Sequence, residues 1–393
     1  MKTAIIGGGA AGFFLAVSLK ELVPAMQVTI MERSQRVLAK VEVSGGGRCN
    51  CTNTFQGVRD LAAVYPRGHR LMKRLFNVFD YKDAYRWFED HGVPLTVQDD
   101  GCVFPQAQDS HAVINCFVSL ARRYGVEICT SRKIQSLDEV SGYDFVAVTT
   151  GGSPKGEGLR WLAETGHEIE APVPSLYSLR IADERITTLQ GLVVDDSVVH
   201  LPGTKLRAEG ALLLTHWGMS GPAVLKLTSY AARQLAENGY QGTLSVAWCR
   251  QTEQDIRAAL YEASVREPQK LMTTFCPLGL PQRLWAYLLE KAMGTRAQVR
   301  WTEMNKKDVN RLVNVLMNDM YELAGRAPFK DEFVTCGGIA LKAVNLSTLE
   351  SRHVPGLYFA GEVLDVDGIT GGFNFQAAWT MAAVVARSIA ARV

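Results

Sequence analysis

The chain opens with a short apolar run that passes through glycines into an amphipathic segment. Residues 3–6 are mostly apolar and end in two isoleucines, which is typical of a buried strand. Residues 13–22 carry leucines at helical spacing, and the apolar run 27–31 predicts a second strand. The order strand, helix, strand predicts the first unit of a parallel sheet.

The same reading continues through the first half of the chain. Helical patterning covers residues 58–92, and a turn at Asp99-Asp100-Gly101 predicts a hairpin over 94–104. Further elements are predicted as a helix at 110–124, a strand at 126–130, more strand near 134–137, and a buried strand from Tyr143 into the turn Thr150-Gly151-Gly152.

The period then changes towards two between residues 171 and 247, which predicts short antiparallel strands in a sheet or barrel, with one helix at 223–238. Residues 252–325 are predicted to be largely helical, and strand-like sequence resumes at 332–335. A last strand at 357–362 leads through a glycine-rich loop into an alanine-rich helix at 377–391.

Three domains follow from this pattern, consistent with a length of 393 residues. The first is a nucleotide-binding α/β domain formed by residues 1–165 and 333–393. A β-barrel-like insert covers 166–250 and can also include the strand near 330, and a helical insert covers 251–332.

The first turn has the spacing Gly7-x-Gly9-x-x-Gly12, with Ala10 and Ala11 between the last two glycines. Gly7 permits a tight turn, Gly9 lets a pyrophosphate approach the backbone, and Gly12 lets the helix pack on the strand. Glu32 ends the second strand about 20 residues later, where an acid accepts hydrogen bonds from a ribose diol. A dinucleotide site is therefore predicted here.

Two further glycine-rich segments contain polar groups suited to a cofactor. The first, Ser44 to Asn53, contains Gly45, Gly46, Arg48, Cys49 and Asn50. The second runs from Gly361 to Gln376 and starts a helix whose free N–H groups suit the electron-rich end of a flavin. Glu362 or Asp365 is expected to hold ribitol hydroxyls.

Candidate catalytic residues are fewer. The loop Thr215-His216-Trp217-Gly218-Met219-Ser220-Gly221-Pro222 contains Thr215 and His216, which with Cys49 are candidate proton donors. A lone histidine is more often structural, and in this loop a structural and a functional role are equal alternatives. Basic clusters at 67–74 and 296–311 are most simply solvated faces, although RNA recognition needs such surfaces.

Composition changes this picture little. Apolar residues make up 47% of the chain and the net charge is +2, so no global field demands a nucleic acid or a membrane. No apolar run reaches 18 residues, so no membrane-spanning segment is predicted. The eight cysteines lack CxxC spacing, so we expect reduced thiols in a cytoplasmic protein, without a metal site. The oligomeric state cannot be read from the sequence.

The motifs in this order resemble the BaiN/RdsA-type family of bacterial flavoproteins, labelled NAD(P)/FAD-dependent oxidoreductases. The resemblance rests on Gly7–Gly12, Ser44–Asn50 with Thr52-Asn53, Thr150-Gly151-Gly152, the Thr215–Pro222 loop, and Gly361–Asp365 through Gly371-Gly372-Phe373-Asn374. Trp217 and Met219 fit the variable positions of that loop only loosely, and alanines near Thr380 replace a frequent glycine. The resemblance implies one glutathione-reductase-like Rossmann domain that binds FAD, with a β-barrel-like and a helical insert.

The family implies that FAD is held by Gly9, Gly12, Glu32, Arg48, Asn50, Gly361, Glu362 and Asn374. The complete set of predicted cofactor-binding residues is Gly7, Gly9, Ala10, Ala11, Gly12, Glu32, Arg33, Lys40, Ser44, Gly45, Gly46, Arg48, Cys49, Asn50, Thr150, Gly151, Gly361, Glu362, Asp365, Gly372, Phe373, Asn374 and Phe375. A second GxGxxG is missing from the sequence, so NADH or NADPH is expected to bind only transiently.

The predicted activity is reduction of a C=C bond by hydride transfer from flavin N5. The resemblance brings two substrate classes, unsaturated small molecules such as oxidised bile acids, and uridine in 23S ribosomal RNA. A non-redox, flavin-bound module for RNA binding or structure is a third alternative.

Overall fold

The computed structural model describes residues 1–327 and 334–393, which divide into two compact units. Unit 1 contains Met1–Pro174 and Val334–Val393, and unit 2 contains Ser175–Phe333. Part of the strand predicted at 332–335, and the domain boundary predicted at 332/333, lie outside the described residues.

Unit 1 carries a parallel sheet, two small sheets and the helices packed on them. Its elements are β1 (Lys2–Ile6), α1 (Ala10–Leu22), β2 (Gln27–Met31), α2 (Ala39–Val43), β3 (Thr52–Asn53), α3 (His69–Leu75), α4 (Tyr81–Asp90), β4 (Leu95–Val97), β5 (Cys102–Pro105), α5 (His111–Arg123), β6 (Glu127–Cys129), β7 (Phe145–Val148), α6 (Arg160–Glu164) and β8 (Ile169–Ser175). After unit 2 the chain returns with β15 (Val334–Ile339), β16 (Leu357–Phe359) and α13 (Phe373–Ala390).

The parallel sheet has the strand order β16-β7-β1-β2-β6. Its inner strands are short runs of apolar residues because helices cover a parallel sheet on both faces. The registers place Ile6 beside both Met31 and Val148, and Phe359 beside Val148. The carboxyl ends of four strands therefore lie at one edge, where ligands bind in open α/β sheets.

Helix α13 packs along α1 through a cluster of aromatic side chains. Phe14 of α1 lies 5.4 Å from Trp379 of α13, measured between ring centroids, and Phe117 of α5 lies 5.5 Å from Trp379. These rings are buried or nearly so, and aromatic groups of this size dominate core energetics. The first and last helices of the chain thus share one core.

Unit 2 combines a closed antiparallel barrel with helices. Its elements are β9 (Leu179–Ile181), α7 (Glu184–Thr187), β10 (Val193–His200), β11 (Arg207–Leu214), β12 (Gly218–Ser220), α8 (Pro222–Tyr230), α9 (Ala232–Glu237), β13 (Gln241–Ala247), α10 (Glu253–Arg266), α11 (Gln282–Met293), α12 (Lys306–Met317) and β14 (Asp319–Arg326). The barrel closes in the order β10-β11-β12-β9-β14-β13. The predicted α/β fold with a barrel and helices is confirmed.

Three elements differ from the prediction. Residues 134–137 form no strand, because Ser136 caps a short 3₁₀ turn by accepting the Asp138 N–H. The helix predicted at 223–238 is split into α8 and α9 at Ala231. The barrel-closing strand β14 lies mostly in the range 252–325 that was predicted to be largely helical, although its burial alternates along the strand.

The start of β14 explains that error. Asp319 points inward and is 2% exposed, which breaks the apolar alternation by which a strand is recognised. Lys291 lies 2.6 Å from its carboxylate, and the Trp248 indole N–H donates to it at 3.0 Å. A buried charge with such partners is compatible with a strand, but its partners are distant in the sequence.

Candidate functional site

The fingerprint Gly7–Gly12 links β1 to α1 and shows two different reasons for glycine. Gly7 has φ +117°, and a Cβ there would lie 2.5 Å from the Thr149 carbonyl oxygen; at Gly12 a Cβ would lie 2.1 Å from the Gly7 oxygen. Gly9 has an extended backbone, φ −92°, and a Cβ would meet nothing within 4 Å. The protein itself therefore requires Gly7 and Gly12, whereas Gly9 leaves open space in front of the α1 N–H groups.

Glu32 ends β2 at the same edge of the sheet. Its Oε2 accepts the Gly8 N–H at 2.8 Å, and its Oε1 accepts the Ser34 N–H and hydroxyl, each at 2.9 Å. The carboxylate is thus fixed beside the glycine turn while remaining half-buried. Arg33, which follows, is exposed. This position suits a diol that adjoins a diphosphate.

Glu362 follows β16, and its carboxylate joins distant segments. Its Oε1 accepts the Thr335 N–H at 2.7 Å, and its Oε2 lies 2.9 Å from Nζ of Lys40, a side chain that is 56% exposed. An ion pair with an exposed lysine contributes little to the free energy of folding. The Glu362 Oε2 atom can therefore exchange Lys40 for a hydroxyl group at little cost. Thr150 and Gly151 lie at the neighbouring end of β7, and Asp365 is half-buried in the loop after Glu362.

Thr335 is a residue that the sequence reading missed. Its side chain is 2% exposed, its hydroxyl is buried without a hydrogen-bond partner among the described residues, and it packs on Gly152 next to Glu362. The adjacent pair Gly337-Gly338 was the available signal. A Cβ at either position would lie 2.5 Å from a backbone oxygen, of Ala171 and Val363 respectively.

The second glycine loop has several residues in the left-handed region. Gly45, Gly46, Gly47 and Cys49 have φ between +57° and +85°. Arg48 closes the loop, because its Nε donates to the Gly45 oxygen at 3.1 Å and its guanidinium lies 4.3 Å from the Phe104 ring centroid. Ser44 donates its hydroxyl to the Val41 oxygen. The Gly47 and Cys49 N–H groups both donate to the Ser44 oxygen at 3.0 Å, so the turn is held by its own hydrogen bonds.

Cys49, a candidate proton donor, is fully buried in this loop. Its sulfur lies 3.8 Å from that of Cys51, and both thiols are free. Burial raises the pKa of the Cys51 thiol well above its ordinary value, and the neighbouring Cys49 adds to that effect. Both cysteines are fully buried, and the Cys51 carbonyl accepts the Trp379 indole N–H at 2.8 Å.

The start of α13 is joined to this loop. Gly372, its N-cap, has φ +86°, and a Cβ there would lie 2.3 Å from the Thr52 oxygen. With its amide oriented by hydrogen bonding, Asn50 accepts the Gly372 N–H at 3.2 Å and donates to the Thr52 oxygen at 2.9 Å. Asn53 donates to the Gly371 oxygen at 3.0 Å. Two of the predicted cofactor segments therefore meet.

The first-turn N–H groups of α13 belong to Phe373, Asn374 and Phe375, and they have no acceptor within the helix. The Asn374 side chain is used differently. Its Oδ1 accepts the Gly368 N–H at 2.8 Å and its Nδ2 donates to the Gly368 oxygen at 2.9 Å, which closes the preceding loop. Any contact of Asn374 with a cofactor would thus use its backbone.

A buried ion pair that was not predicted supports the same loop. Arg67 and Asp367 form a bidentate pair, with Nε to Oδ1 at 2.6 Å, and the Asp367 side chain is fully buried. The sequence reading had grouped Arg67 with a solvated basic cluster. A buried carboxylate needs a cation, but neither the burial of Asp367 nor its partner 300 residues away can be read from the sequence.

These groups fit FAD. The open space at Gly9 faces a helix N-terminus suited to a diphosphate, and Glu32 and Glu362 offer carboxylate oxygens to ribose and ribitol hydroxyls. The α13 N-terminus supplies N–H groups and a positive dipole end for an electron-rich ring. All predicted cofactor-binding residues lie in unit 1.

The other candidate catalytic residues lie in unit 2, in the turn between β11 and β12. The Thr215 hydroxyl accepts the N–H groups of Trp217 and Gly218, at 3.3 and 3.1 Å, so it holds the turn. His216 is exposed, with its ring 4.4 Å from the Trp217 ring. Of these two residues, His216 is the one with a side chain open to a ligand.

Within residues 1–327 and 334–393, no group of three or more His, Cys, Asp or Glu side chains is arranged to hold a metal ion. Across the same ranges, none of the helices combines the length and apolar character needed to cross a membrane.

Comparison with known proteins gives matches over nearly the whole chain. The HI0933-like protein Rossmann domain family matches residues 1–388. A 3-dehydro-bile acid delta(4,6)-reductase of Clostridium scindens is 26% identical over 100% of this chain and 99% of its own length. A ribosomal RNA dihydrouridine synthase of Haemophilus influenzae is 27% identical over 99% of this chain and 98% of its own length.

A solved structure agrees with the fold. The 3-ketosteroid delta1-dehydrogenase of Sterolibacterium denitrificans aligns over 100% of this chain and 99% of its own, with a TM-score of 0.53 and 11% identity. The family match and the relatives, rather than this structure, confirm the suspected family and the enzyme class. The chain belongs to the HI0933-like Rossmann family and is a flavin-dependent oxidoreductase.

Proposed function

We propose that unit 1 binds FAD and that the enzyme reduces a C=C bond conjugated to a carbonyl group. The observation that carries this proposal is the junction of the second glycine loop with α13, where Asn50 and Asn53 hold the helix start. A dinucleotide fingerprint alone serves many cofactors. A second helix N-terminus joined to a rigid glycine turn suits the ring end of FAD.

FAD would supply hydride chemistry from its N5 atom when bound. The chain would supply the binding and the electrostatics. The α1 N–H groups would hold the diphosphate, Glu32 and Glu362 would accept hydroxyl groups, and the first turn of α13 would stabilise negative charge on the flavin ring. Saturation of the C=C bond also requires a proton at the other substrate carbon, and none of these residues delivers it.

NADH or NADPH is proposed as the electron donor, bound only transiently. The fingerprint at Gly7–Gly12 is used for FAD, and the sequence has no second copy. Anaerobic reduction of the purified FAD protein by each nucleotide, followed by bleaching of flavin absorbance, tests this. A protein that neither nucleotide reduces, but that dithionite does, would rule out the donor.

The substrate class is inferred from the shared chemistry of the two relatives. A Δ4,6-3-oxo steroid and a uracil ring both present a C=C bond conjugated to a carbonyl, so the same hydride and proton additions saturate either. We propose an unsaturated small molecule as the first candidate.

Uridine in 23S ribosomal RNA is the second candidate, favoured by the basic face of α3. Arg70, Lys73 and Arg74 are exposed there, and α3 packs against α13. The other predicted basic cluster supports RNA less well, because Arg296 is paired with Asp308 at 2.8 Å. Phosphate contacts dominate RNA affinity, so free cations are needed.

Deleting the gene and analysing ribosomal RNA for dihydrouridine by mass spectrometry separates these candidates. Loss of one dihydrouridine on deletion supports the RNA substrate. If the R70Q/K73Q/R74Q variant restores that dihydrouridine in the deletion strain, the α3 face is excluded as the RNA contact. An unchanged ribosomal RNA supports the small molecule. An FAD protein that NAD(P)H reduces but that turns over no acceptor would favour the non-redox module.

His216 is proposed as the proton donor, since its imidazole is exposed in the turn between β11 and β12. In the H216A variant we expect FAD to remain bound and turnover to fall by about 10²–10⁴-fold, the usual contribution of general acid catalysis. The S220A variant, in the strand that follows, is the matched control. Unchanged turnover in H216A would exclude this role.

A further inference from the structure

A small cluster of polar atoms follows β7, at the edge of the parallel sheet where the proposed FAD site lies. It consists of the Gly152 backbone, the Thr335 hydroxyl and the Glu362 carboxylate. A Cβ at Gly152 would lie 2.4 Å from the Thr335 hydroxyl oxygen and 2.5 Å from Oε1 of Glu362. Gly152 is outside the left-handed region, so glycine is needed there for room rather than for conformation. Both oxygens therefore border one small space that a side chain at residue 152 would fill.

The Thr335 hydroxyl has no hydrogen-bond partner in the described part of the chain, although the side chain is only 2% exposed. The Thr335 N–H, in contrast, donates to Oε1 of Glu362 at 2.7 Å. A buried hydroxyl without a partner destabilises a folded protein, and valine, which has the same shape, would avoid that penalty. The hydroxyl therefore contributes nothing to the stability of the described fold.

The other oxygen of Glu362 has a partner that a ligand can replace. Its Oε2 lies 2.9 Å from Nζ of Lys40, and the two side chains are 19% and 56% exposed. A ribitol hydroxyl at Oε2 would take the place of this cation, and the cofactor would also exclude water from the carboxylate. A charged carboxylate that is shielded from water needs further hydrogen bonds. The Thr335 O–H borders Oε1 and is an unused donor among the described residues.

We propose that Thr335 is a positioning residue for FAD, whose hydroxyl donates to Oε1 of Glu362 when Oε2 binds the cofactor. This inference rests on the proposed FAD site. Thr335 then holds Oε1 through both its N–H and its O–H group, and Gly152 leaves room for the carboxylate to turn away from Lys40. Because Thr335 is buried, it acts through Glu362 and contacts no reacting atom.

The T335V variant separates this role from a role in packing, because it keeps the shape of the side chain and removes only the hydroxyl. The FAD dissociation constant should rise about tenfold or more, as expected for a lost hydrogen bond to a charged group. The thermal unfolding midpoint of the flavin-free chain should stay at the wild-type value or rise by about 2 °C. T335S keeps the hydroxyl and should keep most of the wild-type affinity for FAD.

T3V is the matched control, because the Thr3 hydroxyl in β1 is also buried without a partner among the described residues. This variant should have the same effect on unfolding and leave the FAD dissociation constant unchanged. A second test uses the E362Q background. Since Thr335 acts through the Glu362 carboxylate, T335V should weaken FAD binding much less in E362Q than in wild type. Dissociation constants are measured by titrating the flavin-free full chain with FAD and following flavin fluorescence.

Wild-type affinity for FAD in T335V would overturn the inference, and so would an equal loss in the E362Q and wild-type backgrounds. A T335V chain that loses stability along with FAD affinity would show a structural role and overturn it as well. Where E362Q binds too little FAD to measure, T335S decides. Affinity retained in T335S but lost in T335V supports the inference, and equal losses overturn it. A wild-type chain that binds no FAD would instead overturn the proposed function, so the two failures are distinguishable.

Discussion

Helices α1 and α13 both begin at a glycine in the proposed FAD site, yet they are specified in different ways. Neither has a side-chain N-cap hydrogen bond. The first starts directly after β1, and the second starts only after the loop that follows β16. Leaving N–H groups unsatisfied at a helix start is costly unless water or a ligand takes them. Both starts therefore leave N–H groups to water or, in the proposed site, to FAD.

The difference lies in what holds each start. Gly7 and Gly12 make contact with each other, so the beginning of α1 is encoded within six residues. The beginning of α13 depends on Asn50, Asn53 and Tyr65, which are more than 300 residues away in the sequence. A local turn and a remote scaffold thus produce the same feature, and they should fail differently when mutated.

The largest effect is expected at α1. G12V places side-chain atoms against the Gly7 oxygen, so the free energy of unfolding should fall by about 3 kcal/mol or more, at the upper end for overpacking. The matched variant G9V meets open space in an extended backbone, so its stability should stay near wild type while FAD is lost. Thermal unfolding and flavin absorbance measure the two effects.

A yellow G9V protein would contradict the diphosphate site at this turn. A G12V protein as stable as wild type would contradict the close packing of α1 on β1. The two outcomes are independent, because flavin absorbance measures FAD binding and thermal unfolding measures the stability of the fold.

A smaller effect is expected at α13. Gly372 and Gly47 have nearly the same left-handed φ, +86° and +85°, so alanine costs about 1–2 kcal/mol at either position from the backbone alone. At Gly372 the new Cβ also meets the Thr52 oxygen, whereas at Gly47 it meets nothing within 4 Å. We expect G372A to lose more stability than G47A, measured by denaturant unfolding. Equal losses would show that the contact between the glycine loop and α13 is not tight.

The same contrast explains how much could be predicted from the sequence. The bounds of β2 were predicted correctly, and the glycine fingerprint was recognised, because both are local patterns. The start of α13 was predicted at Ala377, because the glycines before it favour a loop. The helix starts at Phe373, and Asn374 in its first turn closes the preceding loop by accepting the Gly368 N–H.

The unpredicted parts of the site have the same cause. Arg67 looked like one of several surface cations until the fold paired it with Asp367. Thr335 carried no motif of its own, and only the fold brings it to Glu362. Long-range pairs of this kind connect segments that one sequence does not relate, whereas the strand–helix–strand unit at the start of the chain is a local pattern and was predicted.

The smallest expected effect concerns the far ends of the two helices. At the end of α1, Glu21 lies 2.8 Å from Nε2 of His91, and this hydrogen bond raises the pKa of His91 above its ordinary 6.5. At the end of α13, Arg392 lies 2.6 Å from Glu350, and arginine keeps its charge throughout the neutral range. One anchor therefore contains a histidine whose charge depends on pH, and the other contains an arginine whose charge does not.

The raised pKa fixes the sign of the pH dependence. The folded state binds the His91 proton more tightly than the unfolded state, so the stabilisation is complete below pH 6.5 and is lost as the pH rises through the folded pKa. Because the pair is partly exposed, it contributes no more than about 1 kcal/mol. H91Q should therefore destabilise the protein at pH 5.5 and have less effect at pH 8.5, measured by urea unfolding, whereas R392Q should have the same effect at both pH values. A cost of H91Q that does not change with pH would contradict a titrating anchor, and with it this last difference between the two helices.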